Sequence, residues 1–128
     1  MTRTVVIADD DGDIRRLVTI SATKAGLEVL ADVSDGEQAV EAIRRFVPDL
    51  AILDVAMPGM TGVEACRIVR SDPALDGVLL LLLSAAADEK SIEAGLAAGA
   101  VDYLPKPFSP RELAARLAVH IGQESDRA

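Results

Sequence analysis

The side chains able to do chemistry in this chain are few, and each follows a stretch of strand length. Asp9, Asp10 and Asp11 come after residues 5–8, and Asp54 after residues 50–53. Ser84 comes after residues 78–83, and Lys106 after residues 101–104. Carboxylates gathered in one pocket repel one another, and an unpaired one resists burial. A hard divalent cation removes that conflict. Magnesium takes oxygen ligands, keeps several waters, and is typically held by one or two carboxylates plus a phosphate. A phosphoryl group beyond such an ion could have its remaining charge met by the Lys106 ammonium and a hydroxyl donor from Ser84. Asp54 could itself be the nucleophile, since carboxylates do form aspartyl-phosphate intermediates. The metal would then offset charge in the transition state.

These residues meet only if the fold gathers them. Strand-length apolar runs alternate with helix-period stretches along the whole chain. Residues 5–8 predict a first strand. Ile14, Leu17, Val18, Ser21, Ala22 and Ala25 then fall on one helix face, with Gly26 where a helix stops. Residues 27–33 predict the second strand. A helix follows over 36–47, ended by Pro48, and then a third strand over 50–53 whose lack of alternation marks burial on both faces. A third helix carries Val63, Cys66 and Val69, and the turn pairs Asp72-Pro73 and Asp76-Gly77 precede a fourth strand over 78–83. A helix over about 88–98 and a short strand over 101–104 follow. The last helix opens on Ser109-Pro110, with Glu112 three residues past the cap.

Strict alternation of this kind predicts an α/β fold, a doubly wound five-stranded parallel sheet built of right-handed crossovers. Ligands in such sheets bind at the carboxyl ends of the strands, where the strand order reverses. In the flavodoxin-like order 2-1-3-4-5, the first and third strands adjoin, so Asp9, Asp10 and Asp54 would converge on one small cavity. Residues 1–122 make one domain, and 123–128 a polar tail or the start of a linker.

Composition narrows the function. The formal net charge of −8 disfavours nucleic-acid binding by this domain or an anionic membrane as partner. Aromatics are 2%, too few for base stacking. The longest apolar run falls short of a membrane span, and the N-terminal one falls short of a signal peptide; a cytoplasmic protein is the expectation. A lone cysteine, Cys66, excludes an internal disulfide and reads as core packing. His120, the sole histidine, reads as a rim or surface residue.

Asp9-Asp10, Asp54 ahead of Met57-Pro58-Gly59, Ser84-Ala85 and Lys106-Pro107-Phe108 stand in the order and spacing of one family. The chain resembles the receiver domain of two-component response regulators over about residues 5–121. The resemblance implies that Asp54 accepts a phosphoryl group from a phosphohistidine of a sensor histidine kinase or phosphotransfer protein. It implies that Asp10 and Asp54 bind magnesium directly with the Ala56 carbonyl, Asp9 acting through water, with manganese as an alternative ion. It implies further that Ser84 and Lys106 hold the phosphoryl oxygens and that the Lys106–Pro107 peptide is cis. Tyr103 matches the family's switch aromatic. Its inward swing behind Ser84 would remodel a face formed by the fourth helix, fifth strand and fifth helix, with Lys90, Ile92, Arg111 and Arg116 as candidates to line it. That face would serve an output domain, a docking partner or a phosphorylation-driven homodimer. Ala56 and Ala86 flank the site with methyl groups only.

Other readings of the same residues fare worse. A calcium loop starting at Asp9 would need Gly at position six and Glu at twelve, where this chain has Ile14 and Ile20. Asp11 and Asp13 read as helix N-terminal acids. An aspartyl-phosphate phosphatase would carry a second acid two residues after its nucleophile, where Ala56 stands. A flavin carrier would need a hydroxyl-rich phosphate loop and aromatics. A receiver reduced to docking alone would not keep every site residue.

Overall fold

The structure, a computed structural model, describes residues 2–86 and 88–125, with backbone alone for 122–125. The chain runs β1 (Thr4–Ala8), α1 (Gly12–Lys24), β2 (Glu28–Val33), α2 (Gly36–Phe46), β3 (Leu50–Asp54), α3 (Gly62–Arg70), β4 (Leu79–Ser84), α4 (Glu89–Ala97), β5 (Asp102–Pro105) and α5 (Pro110–Ser125). The strands form one parallel sheet in the order β2-β1-β3-β4-β5, the topology expected from the alternation.

Local chemistry sets the helix ends. The Asp11 carboxylate accepts from the Asp13 and Ile14 N–H groups at 2.9 and 3.3 Å and so caps α1. Past Ala25 the chain turns through Gly26 at φ +92°, a conformation that penalises any β-carbon. Asp35 caps α2, and Thr61 and Glu64 form a reciprocal capping box on α3. Ser109 and Glu112 do the same for α5: the Glu112 N–H donates to Ser109 Oγ at 3.0 Å, and the Ser109 N–H to Glu112 Oε1 at 3.2 Å.

The boundaries shift in a few places. Helix α2 ends at Phe46 rather than Val47. Pro48 bars the residue before it from the helical region, and Val47 adopts a left-handed conformation at φ 43°. A 3₁₀ turn over Pro73–Leu75, not foreseen from the sequence, is capped by Asp72. Helix α5 continues to Ser125, into the segment read as a polar tail; residues 126–128 of that tail lie outside the described residues.

Two aliphatic layers hold the sheet. Val6, Ala8, Ala51, Leu53, Leu80 and Leu82 face α2, α3 and α4, while Val5, Ile7, Leu50, Ile52, Leu81 and Leu83 face α1 and α5. The period-two alternation of strand side chains produces this split from an unbroken apolar run. Burying each of the Val, Leu and Ile side chains contributes about 1.5–3 kcal/mol, the alanines less. Cys66 lies in the first layer, fully buried, and burial pushes its thiol up to about 12, with nearby Arg70 pulling only weakly the other way. The folded protein is therefore expected to resist thiol-specific maleimides at pH 7.5 and to react only once denatured, a difference that intact-mass measurement reads directly. Rapid labelling of the native protein would contradict that packing. Among the described residues, no helix is long and apolar enough to cross a membrane.

Candidate functional site: an acidic pocket at the strand ends

The register of the sheet aligns the ends that matter. Ala8 pairs with Leu53, Asp54 with Leu83, and Ser84 with Pro105, so the strands β1, β3, β4 and β5 stop at one level. Asp9 leaves β1 with its N–H bonded to the Val33 carbonyl of β2 at 3.0 Å, which continues the β1–β2 ladder one residue past the end of β1. Asp54 is the last residue of β3, buried on all sides at 3% exposure. Carboxylate oxygens of Asp9, Asp10 and Asp54 lie within 4.8 Å of one another.

One cation reaches this cluster from the other end of the chain. Lys106 Nζ lies 3.0 Å from Asp9 Oδ2 and 3.1 Å from Asp54 Oδ1, both charge-assisted contacts. The Lys106 N–H donates to the Ser84 carbonyl at 2.7 Å, and the Lys106–Pro107 peptide is cis, as the resemblance implies. The Asp11 N–H also donates to Asp9 Oδ1 at 2.9 Å, so fully buried Asp9 is held on both oxygens. Asp10, by contrast, is exposed.

The electrostatics follow from burial. Desolvation raises the Asp54 pKa to about 6; the Lys106 bond opposes that rise and the Asp9 charge reinforces it, and a bond from the Ala56 backbone favours the ionised form. Burial works against the Lys106 ammonium too, yet its bonds to Asp9 and Asp54 win and lift its pKa above the ordinary lysine value. The Lys106 ammonium faces two buried carboxylates and a third, exposed one, and even with the Arg15 guanidinium 2.8 Å from the Asp9 carbonyl the three acids leave negative charge in excess. Oxygen-only donors, an exposed Asp10 and that excess match what a hard divalent cation requires. The residues fit such an ion.

The loop after Asp54 is packed without slack. A β-carbon at Gly62 would lie 2.4 Å from the Asp54 carbonyl oxygen and 3.1 Å from Val55 Cα, so α3 begins directly against the Asp54 backbone. A β-carbon at Gly36 would lie 2.4 Å from the Met60 carbonyl oxygen, which locks α2 onto the same loop. Neither contact is visible from motif spacing, though two glycines at helix N-termini were the available signal.

Ser84 ends β4, 4% exposed, and its Oγ accepts from the Ala86 N–H at 3.0 Å. Tyr103 on β5 is 6% exposed, with its hydroxyl donating to the Ala86 carbonyl at 2.5 Å. The ring is thus already buried here, whereas the resemblance implies an inward swing that follows movement of Ser84 towards a phosphoryl oxygen.

A family comparison settles what kind of domain this is: the response regulator receiver domain matches residues 5–118. The chain belongs to that family. Among curated relatives, the DNA-binding response regulator MtrA of Mycobacterium tuberculosis is 37% identical over 126 residues, covering 98% of this chain and 54% of that protein. The phosphate regulon transcriptional regulatory protein PhoB of Pseudomonas aeruginosa is 38% identical over 115 residues, covering 90% of this chain and 50% of PhoB. The receiver chain therefore spans about half the length of the curated relatives it matches. Among solved structures, the chemotaxis response regulator CheY4 of Vibrio cholerae superposes with a TM-score of 0.87 at 32% identity, covering 94% of this chain and 99% of that one. The response regulator DrrB of Thermotoga maritima gives 0.85 at 29% identity, covering 97% of this receiver and 54% of that chain.

The receiver also has a cluster at the start of β5 that motif spacing missed. Asp102 Oδ1 meets Arg116 Nη1 at 2.6 Å and its Oδ2 meets His120 Nε2 at 3.0 Å. Burial disfavours the Asp102 charge, but bonds from His120, the Tyr103 N–H and Arg116 outweigh it and hold the carboxyl below the usual range. Arg116, expected to line the α4–β5–α5 face, reaches from α5 to Asp102 on β5. His120, read as a rim residue, has its side chain 13% exposed and is part of this brace. The i, i+4 spacing of Arg116 and His120 was the signal for a shared target.

Proposed function

We propose that this receiver is a phosphorylation-controlled switch of a two-component phosphorelay, with Asp54 as the phospho-acceptor. One observation carries the reading: a buried carboxylate at the end of β3 has the Lys106 ammonium 3.1 Å away and the companion acids of β1 around it. An Asp54 oxygen attacks the phosphorus of a phosphohistidine on a histidine kinase or phosphotransfer protein. The O–P bond forms, the P–N bond breaks, and the imidazole leaves. Lys106, anchored by Asp9, meets one phosphoryl oxygen, and the Ser84 hydroxyl turns from Ala86 to donate to another. Magnesium, or manganese, held by Asp10, Asp54 and the Ala56 carbonyl with Asp9 acting through water, would supply charge neutralisation to the incoming oxygens.

Catalysis in this reading is confined to the chain's own phosphorylation and dephosphorylation. Ser84 and Tyr103 share Ala86 as a partner, through its N–H and its carbonyl, and this couples the pocket to the α4–β5–α5 face. Movement of Ser84 towards a phosphoryl oxygen biases the two states of that face only as far as it favours one of them. The face is offered to an output domain, a docking partner or a second copy, in a cytoplasmic setting. The DNA binding named for MtrA is not carried over to these residues.

Two measurements test the site. Intact mass after incubation with a small acyl phosphate and magnesium compares the wild type with Asp54→Asn; equal labelling of both removes Asp54 from its role. Calorimetric titration with magnesium across pH tests the shared carboxylate. Because Asp54 takes its proton at about 6, the apparent affinity is expected to hold above that pH. Below it, affinity falls by up to about tenfold per pH unit as the ion displaces that proton. An affinity flat from pH 7.5 to 5 would take Asp54 out of the metal site.

A further inference from the structure

Helix α4 meets the switch aromatic at a residue without a side chain. Gly95 is the buried residue of α4. A β-carbon there would lie 2.8 Å from Leu82 Cδ1 and 3.0 and 3.3 Å from Tyr103 Cδ2 and Cε2. Glycine in a helix interior is disfavoured relative to alanine, so its presence calls for a reason. The backbone supplies none: Gly26, Gly59 and Gly99 have positive φ, whereas Gly95 does not. Space is the remaining reason.

The two neighbours differ in what they can yield. Leu82 is fully buried in β4, paired with Leu53 on one side and Tyr103 on the other. Its Cδ1 could turn only within that packed layer. The Tyr103 ring ends at the exposed Ala86, where its hydroxyl is held by a single carbonyl bond, so rotation about χ1 takes it out towards solvent. We propose that Gly95 is the positioning residue for Tyr103: the inward ring and a side chain at position 95 exclude each other, and the bare helix surface stabilises the inward state. This rests on the reading of Tyr103 as the switch and adds the element of α4 that favours its inward state.

The chain offers a clean reporter, because Tyr103 is its one tyrosine and it has no tryptophan. In Gly95→Ala, acrylamide quenching of tyrosine fluorescence is expected to rise towards that of free N-acetyltyrosinamide. The near-UV circular dichroism of the ring should fade while the far-UV helical signal stays. A folded variant with unchanged quenching and near-UV signal overturns the proposal. Should Gly95→Ala fold poorly, a stability cycle with Tyr103→Ala decides: the loss caused by Gly95→Ala shrinks once the ring is gone, and additive losses overturn the idea. Quenching needs no phosphoryl donor, so its failure is separate from any failure of Asp54 labelling.

Discussion

Asp54→Asn is expected to abolish the gain of one phosphoryl group expected of the wild-type receiver with an acyl phosphate and magnesium, and at the same time to make the metal-free protein more stable. The first effect follows because an amide oxygen is no nucleophile towards phosphorus, and no other buried carboxylate stands where Asp54 does at the end of β3. The second follows from its raised pKa. A carboxylate titrating at about 6 in the fold, against 3.8 ordinarily, is disfavoured in its charged form by burial. Above pH 6 that penalty is fully present. As pH falls through 6 towards 4, the folded state takes up the proton first and the penalty fades. Urea denaturation at pH 7.5 should therefore show Asp54→Asn more stable by about 1–2 kcal/mol, an advantage that disappears near pH 4. A less stable variant at pH 7.5 would mean that the Lys106 bond outweighs burial.

Lys106→Met is expected to produce the largest loss of stability of any substitution in the pocket. The side chain is 19% exposed and its ammonium is the charged partner of both Asp9 and Asp54. Removing one member of a buried ion pair leaves the other uncompensated, at a cost of about 3–5 kcal/mol. Its raised pKa means that the stabilisation is complete below the ordinary lysine value and is lost only as pH rises through the higher folded one. The variant's deficit at pH 7.5 is therefore the full one. It should diminish towards pH 5, where Asp54 is protonated, and also in an Asp54→Asn background, where one stranded charge is gone. Labelling at Asp54 should slow, because the ammonium that would meet a phosphoryl oxygen is missing. A variant as stable as the wild type at pH 7.5 would show that the acids do not depend on this cation.

The sequence by itself determined the ladder of strands and helices. Apolar runs of strand length, helix-period faces and caps such as Asp11, Thr61 and Ser109 are local properties, written within a few residues of each other. It also determined that Asp9, Asp54, Ser84 and Lys106 stand at strand ends, the first three directly after apolar runs and Lys106 just past the short strand over 101–104. In a parallel sheet all those ends share one edge, so a local pattern carried a long-range consequence.

What the sequence did not contain is how neighbours divide the work. Asp9 and Asp10 are adjacent and chemically identical, yet one is fully buried between Lys106 and the Asp11 N–H, and the other is exposed. The choice depends on the rotation of the chain as it leaves β1. The brace of Asp102, Arg116 and His120, and the close approaches of Gly62 to Asp54 and of Gly95 to Tyr103, were likewise out of reach. They depend on distances between elements separated in the chain, and a glycine looks the same in sequence whether it serves a turn or a contact. Only the packing of α3, α4 and α5 onto the sheet decides that, because tertiary contacts of a few ångströms arise from the summed geometry of many residues and not from any local run.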